Sequence, residues 1–342
     1  MLYIAQEGRG FVAHFSEWID NKATGEEMDA FLYLNILSKL GIPAISKSTF
    51  SNLLTRCGIK IDLRIFLNNY NDLIRFEEDK LTLRCSRLLW DSVRNHFSDE
   101  MIVQRIVSSA KHIASNLNEG DETIENSMFQ KLTKANNLHW NLNLPYNIIA
   151  SMLLELEETC KHLSYYWVQR GISNREIEEF EEANNAFSEA ASIRNNTSFH
   201  IKHAQAKNYM QWGLWAVDHQ PCMATTLFTA GKDRIEELIL NAPERYYAYS
   251  VHTYVDMMMR FHKKSGFDID LEKLSLLLQK LITEHSDKLN QQITKVFLDF
   301  CIDKNFTSIE IETLKTLYQN LFPNGAQCSP KQHLFDSDDL AD

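Results

Sequence analysis

The sequence predicts a mostly α-helical protein, and three observations carry that expectation. Apolar residues return every three or four positions through most of the 342 residues, the spacing of helices with one buried face. Eleven glycines and six prolines are too few for the many turns of an all-β fold. Strand-like alternation is persuasive at one place only, residues 73–84. The expected organisation is a helical domain with one β-hairpin over 1–118, a linker over 119–145, stacked helical hairpins over 146–325 and an acidic tail, expected to be disordered, over 326–342.

The first helix is expected over Glu26–Leu40, where Gly41-Ile42-Pro43 stops it. Ser46 or Ser48 caps a second through Arg56, and Gly58 stands just past its end, where a left-handed residue belongs. A third covers Leu63–Tyr70. The period then changes: Leu73–Phe76 and Lys80–Arg84 read as strands around Glu77-Glu78-Asp79. Helical spacing resumes over Cys85–Phe97. Helices, a hairpin wing and another helix describe a winged-helix unit. The block Ile74–Val93, IRFEEDKLTLRCSRLLWDSV, resembles the winged-helix region that follows the nucleotide-binding core of STAND-class signalling ATPases. In that family the helix start is Arg-His-Arg-Leu-Ile-Ala-Glu-like; Ser86 stands here at the usual histidine, which weakens any direct sensing of nucleotide.

A further helix is expected over Met101–Leu117, broken by Asn118-Glu119-Gly120-Asp121. The Asn-rich stretch Thr133–Pro145 has no clear period and reads as a joint, with Trp140 tucked against one half. Beyond it the chain is nearly all helix: Tyr146–Leu163, a hairpin over Ser164–Asn195, then pairs Phe199–Val217 with Cys222–Leu240, Arg245–Lys264 with Leu271–His285, and Lys288–Asp303 with Ser308–Phe322. Counting Ser164 as position 1, Trp167, Gly171, Ala183, Phe187 and Ala190 fall at 4, 8, 20, 24 and 27. Small residues at 8 and 20 let two antiparallel helices meet, and the aromatic residues fill the space on either side. This spacing resembles one tetratricopeptide (TPR) hairpin, a unit of ~34 residues that needs stacked neighbours to bury its faces. Ala224 and Phe228 repeat Ala183 and Phe187 after 41 residues, so the expected array is irregular.

Composition narrows the function. Lys and Arg number 35 against 46 Asp and Glu, a net charge of −11, so a nucleic-acid partner would need a local basic patch. Seven cations from Lys47 to Arg84 are offset by Asp62, Asp72, Glu77, Glu78 and Asp79, which argues against DNA reading. Six scattered cysteines without a C-x-x-C suit free thiols in a reducing compartment. With no signal-like N-terminus and no long apolar run, a cytoplasmic chain without membrane contact is expected.

No catalytic centre, metal or cofactor is expected. Ala230-Gly231-Lys232-Asp233 lacks the upstream glycine and the Ser or Thr of a phosphate loop. His200 with His203, and His219 with Cys222, have ligand-like spacing but no second pair. The acidic run Glu176–Glu182 reads as a solvated turn. The TPR resemblance implies a protein or peptide partner and groove-facing residues at positions 2, 5, 9 and 12: Tyr165, Val168, Ile172 and Arg175. The STAND resemblance implies a setting, the sensor half of a signalling or defence ATPase. The alternative is a winged-helix transcription regulator with a helical sensing domain.

Overall fold

Helix α1, Gly25–Lys39, begins the described part of the chain. The computed structural model describes residues 25–322 apart from 72, 85–89, 91–93, 95, 121, 196–197 and 242. Most of the expected Cys85–Phe97 helix, with the Ser86 departure, lies outside the described residues, as does the 326–342 tail. Among the described residues there are fifteen α-helices and three short strands. The chain divides into two units, through Ser173 and from Asn174.

In the first unit, α1 is followed by β1 (Ala44–Ser46), α2 (Lys47–Arg56), α3 (Leu63–Asn69), β2 (Ile74–Glu77) and β3 (Lys80–Leu83). Local chemistry sets these limits. Ser46 accepts the Thr49 N–H at the start of α2, Asp62 accepts from Arg64 and Ile65 at the start of α3, and Gly58 takes φ +74° after α2. Glu77 pairs with Lys80, leaving a two-residue loop in which Glu78 and Asp79 both have positive φ, 48° and 63°. That geometry matches the right-handed twist of the flanking strands. The strand missed from sequence is β1: it adds antiparallel to β3, in the order β1-β3-β2, with Ile45 opposite Leu81.

Helix α4 (Asp99–Ala114) is the centre of this unit, packing on α1, α2, α5 (Ile124–Thr133) and α7 (Tyr146–Cys160). The 119–145 segment, expected as a linker, holds α5 and α6 (Ala135–Leu142). Phe129, Leu132, Leu138 and Leu142 are fully buried there. Its asparagines concealed the period because one of them, Asn136, is buried and accepts a hydrogen bond from the Tyr146 hydroxyl at 2.9 Å. Trp140, expected to tuck in, stays 49% exposed.

Helix α8, Ser164–Glu176, contains the division between the units, so the hairpin expected over Ser164–Asn195 is shared between them. The second unit continues with α9 (Phe180–Ile193), α10 (Phe199–His219), α11 (Pro221–Asn241), α12 (Glu244–Ser265), α13 (Leu271–Glu284), α14 (Gln291–Asp303) and α15 (Ile309–Leu321). Glycine-mediated approach is built into the α10–α11 pair. A Cβ on Gly213 would lie 2.6 Å from the Phe228 nitrogen, and one on Gly231 would lie 2.6 Å from the Ala206 carbonyl oxygen. Phe228 fills the adjoining core, fully buried, with its ring stacked 3.8 Å from that of Phe261 on α12.

A polar cluster links the next helices. Glu236 of α11 accepts hydrogen bonds from the Tyr254 hydroxyl of α12 and, at 2.8 Å, from Lys273 of α13. Burial opposes ionisation of this carboxyl, but the Lys273 and Tyr254 donors outweigh it and hold Glu236 below the usual carboxylate range. A folded-state value below the unfolded one stabilises at neutral pH, and that contribution disappears as pH falls through the lowered value. Glu236→Gln should therefore melt at lower temperature than wild type at about pH 7, and the gap should narrow toward about pH 3, as followed by circular dichroism.

Candidate functional site

The four residues assigned to a groove do not share one surface. Tyr165 and Val168 are half-buried, and the Tyr165 hydroxyl donates to the Gln130 carbonyl at 3.2 Å. Ile172 and Arg175 are interior, at 0% and 4% exposure, which corrects their assignment as groove-facing positions. The physical reason is that α8 turns polar side chains inward and satisfies them. Gln169 accepts the Ala135 N–H at 2.9 Å, capping α6 where Lys134 supplies no side-chain cap. Ser173 donates to the Arg170 carbonyl, and Arg175 holds the Glu176 carboxylate through Nε and Nη2. A helix with polar residues on its buried face has no legible apolar stripe, so sequence spacing misplaces its outer face. Arg175→Glu should lower stability by about 2 kcal/mol or more, since it puts a like charge beside Glu176 in a buried place. A melting temperature equal to that of wild type would count against this.

The histidines singled out by spacing serve the core or the surface. His203 is buried with its ring 4.0 Å from that of Tyr249, and Phe199 stacks on Tyr246 at 4.3 Å. His219 stacks on Trp215 and bonds to that residue's carbonyl oxygen through Nδ1, at 2.9 Å. Among the described residues no group of three or more His, Cys, Asp or Glu side chains is placed to hold a metal ion. Cys57, Cys160, Cys222 and Cys301 are free thiols. None of the described helices is long and apolar enough to cross a membrane.

Concave surfaces occur in the second unit. A cavity of about 350 Å³ lies between the first turns of α10 and the last turns of α11, with Lys202, Gln205, Arg234 and Glu237 on its walls. The Arg234 guanidinium is held over the Tyr209 ring, 4.4 Å from its centre. The larger surface is a groove of about 890 Å³ along α14 and α15. Leu298, Ile302, Phe306 and Ile311 line it, and the charged residues Lys295, Asp299, Glu312 and Lys315 stand at its sides.

Two features single this groove out as the candidate site. Ile302 is 61% exposed in it, a large apolar side chain left in water. Charges of both signs stand close by, and Glu312 reaches Lys315 only at 3.7 Å, with both side chains about half exposed. The groove thus combines an apolar strip with a charged border. The sequence held one sign of it: Ile293, Val296, Phe297, Leu298, Phe300, Cys301 and Ile302 spread apolar residues around more of α14 than one buried face needs. Compared with family models, with curated proteins and with solved structures, the chain finds no match in any of the three.

Proposed function

We propose that this chain is a protein-recognition scaffold without a catalytic centre, and that the α14–α15 groove is the surface that receives its partner. The exposed Ile302 in a groove bordered by charges carries the proposal. The packing order supports a TPR-like array: α10 packs on α11 and α12, α12 on α13 and α14, and α13 on α15. Contact with the next helix and the next but one is what stacked hairpins produce. In the first unit, the order α1, β1, α2, α3, β2, β3 with β1 joined to the hairpin supports a winged-helix reading. On the STAND resemblance the chain serves as the sensor half of a signalling or defence ATPase in the cytoplasm.

A second reading, a winged-helix regulator that binds DNA, is favoured by Arg56, Lys60 and Arg64, which are exposed on or beside α2 and α3. Acidic residues at the hairpin tip oppose it, and Arg75 is engaged by Glu77 at 2.5 Å. The two readings separate by mutation. Ile302→Glu should remove at least about nine-tenths of the protein captured from nuclease-treated lysate and leave melting unchanged, because the side chain is exposed. Arg56→Glu with Arg64→Glu should leave capture intact. Loss of a salt-sensitive duplex affinity in the double variant, with capture unaffected by Ile302→Glu, would establish the DNA reading in its place.

A further inference from the structure

The cavity between α10 and α11 has two chemically different ends. The helices run antiparallel with Gly231 against Ala206 and Met210, so Arg234 comes level with Gln205, and one turn farther on Glu237 comes level with Lys202. Asn241 comes level with the start of α10, and all five of these residues line the cavity. Toward Gly231 the walls offer donors: the Arg234 guanidinium, the Gln205 amide and the Lys202 ammonium. Toward the end of α11 they offer acceptors, the Glu237 carboxylate and Asn241 Oδ1, whose amide nitrogen already donates to the Glu237 carbonyl at 3.0 Å. Phe199 and Leu238 supply apolar lining. Among the described residues, Lys202, Arg234 and Glu237 make no ion pair and the Gln205 side chain makes no hydrogen bond. In a chain with 46 acidic residues against 35 basic ones, two neighbouring cations without a carboxylate partner are open to a ligand. The Tyr209 ring, 4.4 Å from Arg234, holds the guanidinium without using its N–H groups.

We propose that this cavity binds a small molecule with an oxyanion at one end and hydrogen-bond donors at the other. The oxyanion, a phosphate or a carboxylate, lies among Arg234, Gln205 and Lys202, where the guanidinium fork meets it with two parallel N–H bonds. The donors, hydroxyls or an ammonium group, face Glu237 and Asn241, and the carbon frame covers Phe199 and Leu238. Glu237 explains why a bare anion is the poorer ligand: it stands level with Lys202, and only a molecule that also carries donors satisfies it. Polyol phosphates and free amino acids share this chemistry. The cavity, at about 350 Å³, has the size of a small-molecule site. Its walls come from α10, α11 and Pro243, so the site functions independently of the α14–α15 groove.

Titration calorimetry on the full-length chain, with glycerol phosphate and separately with L-leucine, tests the proposal and tells the two sources apart. At least one of them should bind with a dissociation constant of about 1 mM or tighter. Lys202→Met and Arg234→Met should each weaken that binding at least about tenfold, the loss of one charged hydrogen bond. Glu237→Met should weaken it as well, through the other end of the ligand. Sulfate, an oxyanion with no donor, should bind wild type more weakly than the ligand does and should not be weakened by Glu237→Met. All three side chains are exposed, so the variants should melt as wild type does. No saturable binding of either compound, or binding left unchanged by any one of the three substitutions, overturns the proposal. Sulfate that binds as tightly as the better compound overturns it too, since the acceptor end would then contribute nothing.

Discussion

Gly213→Val and Gly231→Val should each destabilise the protein by about 3 kcal/mol, the upper end of overpacking costs. The reason is what the new atoms would meet. At 213 they meet the nitrogen, Cα and Cβ of Phe228, and at 231 the Ala206 oxygen and the Met210 nitrogen and Cγ, all within 2.6–2.8 Å. Most of these are backbone or Cβ atoms that no rotamer change can move, so α10 and α11 must separate along their seam. Alanine is the sharper probe. At an exposed helical position Gly→Ala stabilises by about 1 kcal/mol; here the sign should reverse. Phe228→Ala alone should cost about 3–5 kcal/mol through lost burial and the cavity it leaves. It should not rescue Gly213→Ala, because the atoms that obstruct residue 213 all remain in an alanine at 228. Urea midpoints at constant m-value measure these variants. A stabilised Gly213→Ala chain would show that the helices do not meet at this glycine.

Stability should fall by about 3 kcal/mol as the pH drops from about 6.5 to about 4, through His252. Burial pushes this imidazole down to about 4, and its Nε2 accepts the Asn290 N–H at 3.0 Å, a bond available only to the neutral ring. The unfolded chain, with an ordinary histidine value near 6.5, takes up the proton first, so each step down in pH favours unfolding until the folded ring also protonates. His203 adds to the same trend. Burial, with Lys207 and His200 adding repulsion, holds it well below the usual imidazole range, and neither ring nitrogen has a hydrogen-bond partner. His252→Gln should flatten the decline between about pH 6.5 and pH 4. His203→Phe, in a site already lined by the Phe199 and Tyr249 rings, should raise stability most at the acid end. Urea midpoints across that pH range decide it: a wild-type midpoint that is level from pH 7 to pH 5 contradicts the assignment.

Local chemistry was legible along the chain. Ser46, Asp62 and Ser308 cap helices because a short side-chain oxygen reaches the free N–H groups of the first turn, whatever lies beyond. Gly58 at φ +74° and the hairpin whose tip carries Glu78 and Asp79 follow from residues next to one another. Spacing assigned the close approach of two helices to Gly171 and Ala183, whereas the glycine contacts described here are at Gly213 and Gly231.

Tertiary structure alone decided the rest, because it depends on groups far apart in sequence. The strand β1 is three residues long, too short for any period, and exists because β3 supplies its hydrogen bonds from 36 positions away, Ser46 opposite Lys80 at the nearest and Ala44 opposite Thr82 at the farthest. The stretch 119–145 is helical although rich in asparagine, because Tyr146 satisfies the buried Asn136. Gln169 belongs to the interior because the Ala135 N–H, 34 positions away, makes its burial tolerable there. A polar side chain carries no sign in sequence of whether water or protein will satisfy it. That choice is made by the distant atoms that folding brings to it, and they set which face of α8 is hidden and leave Ile302 of α14 in the open.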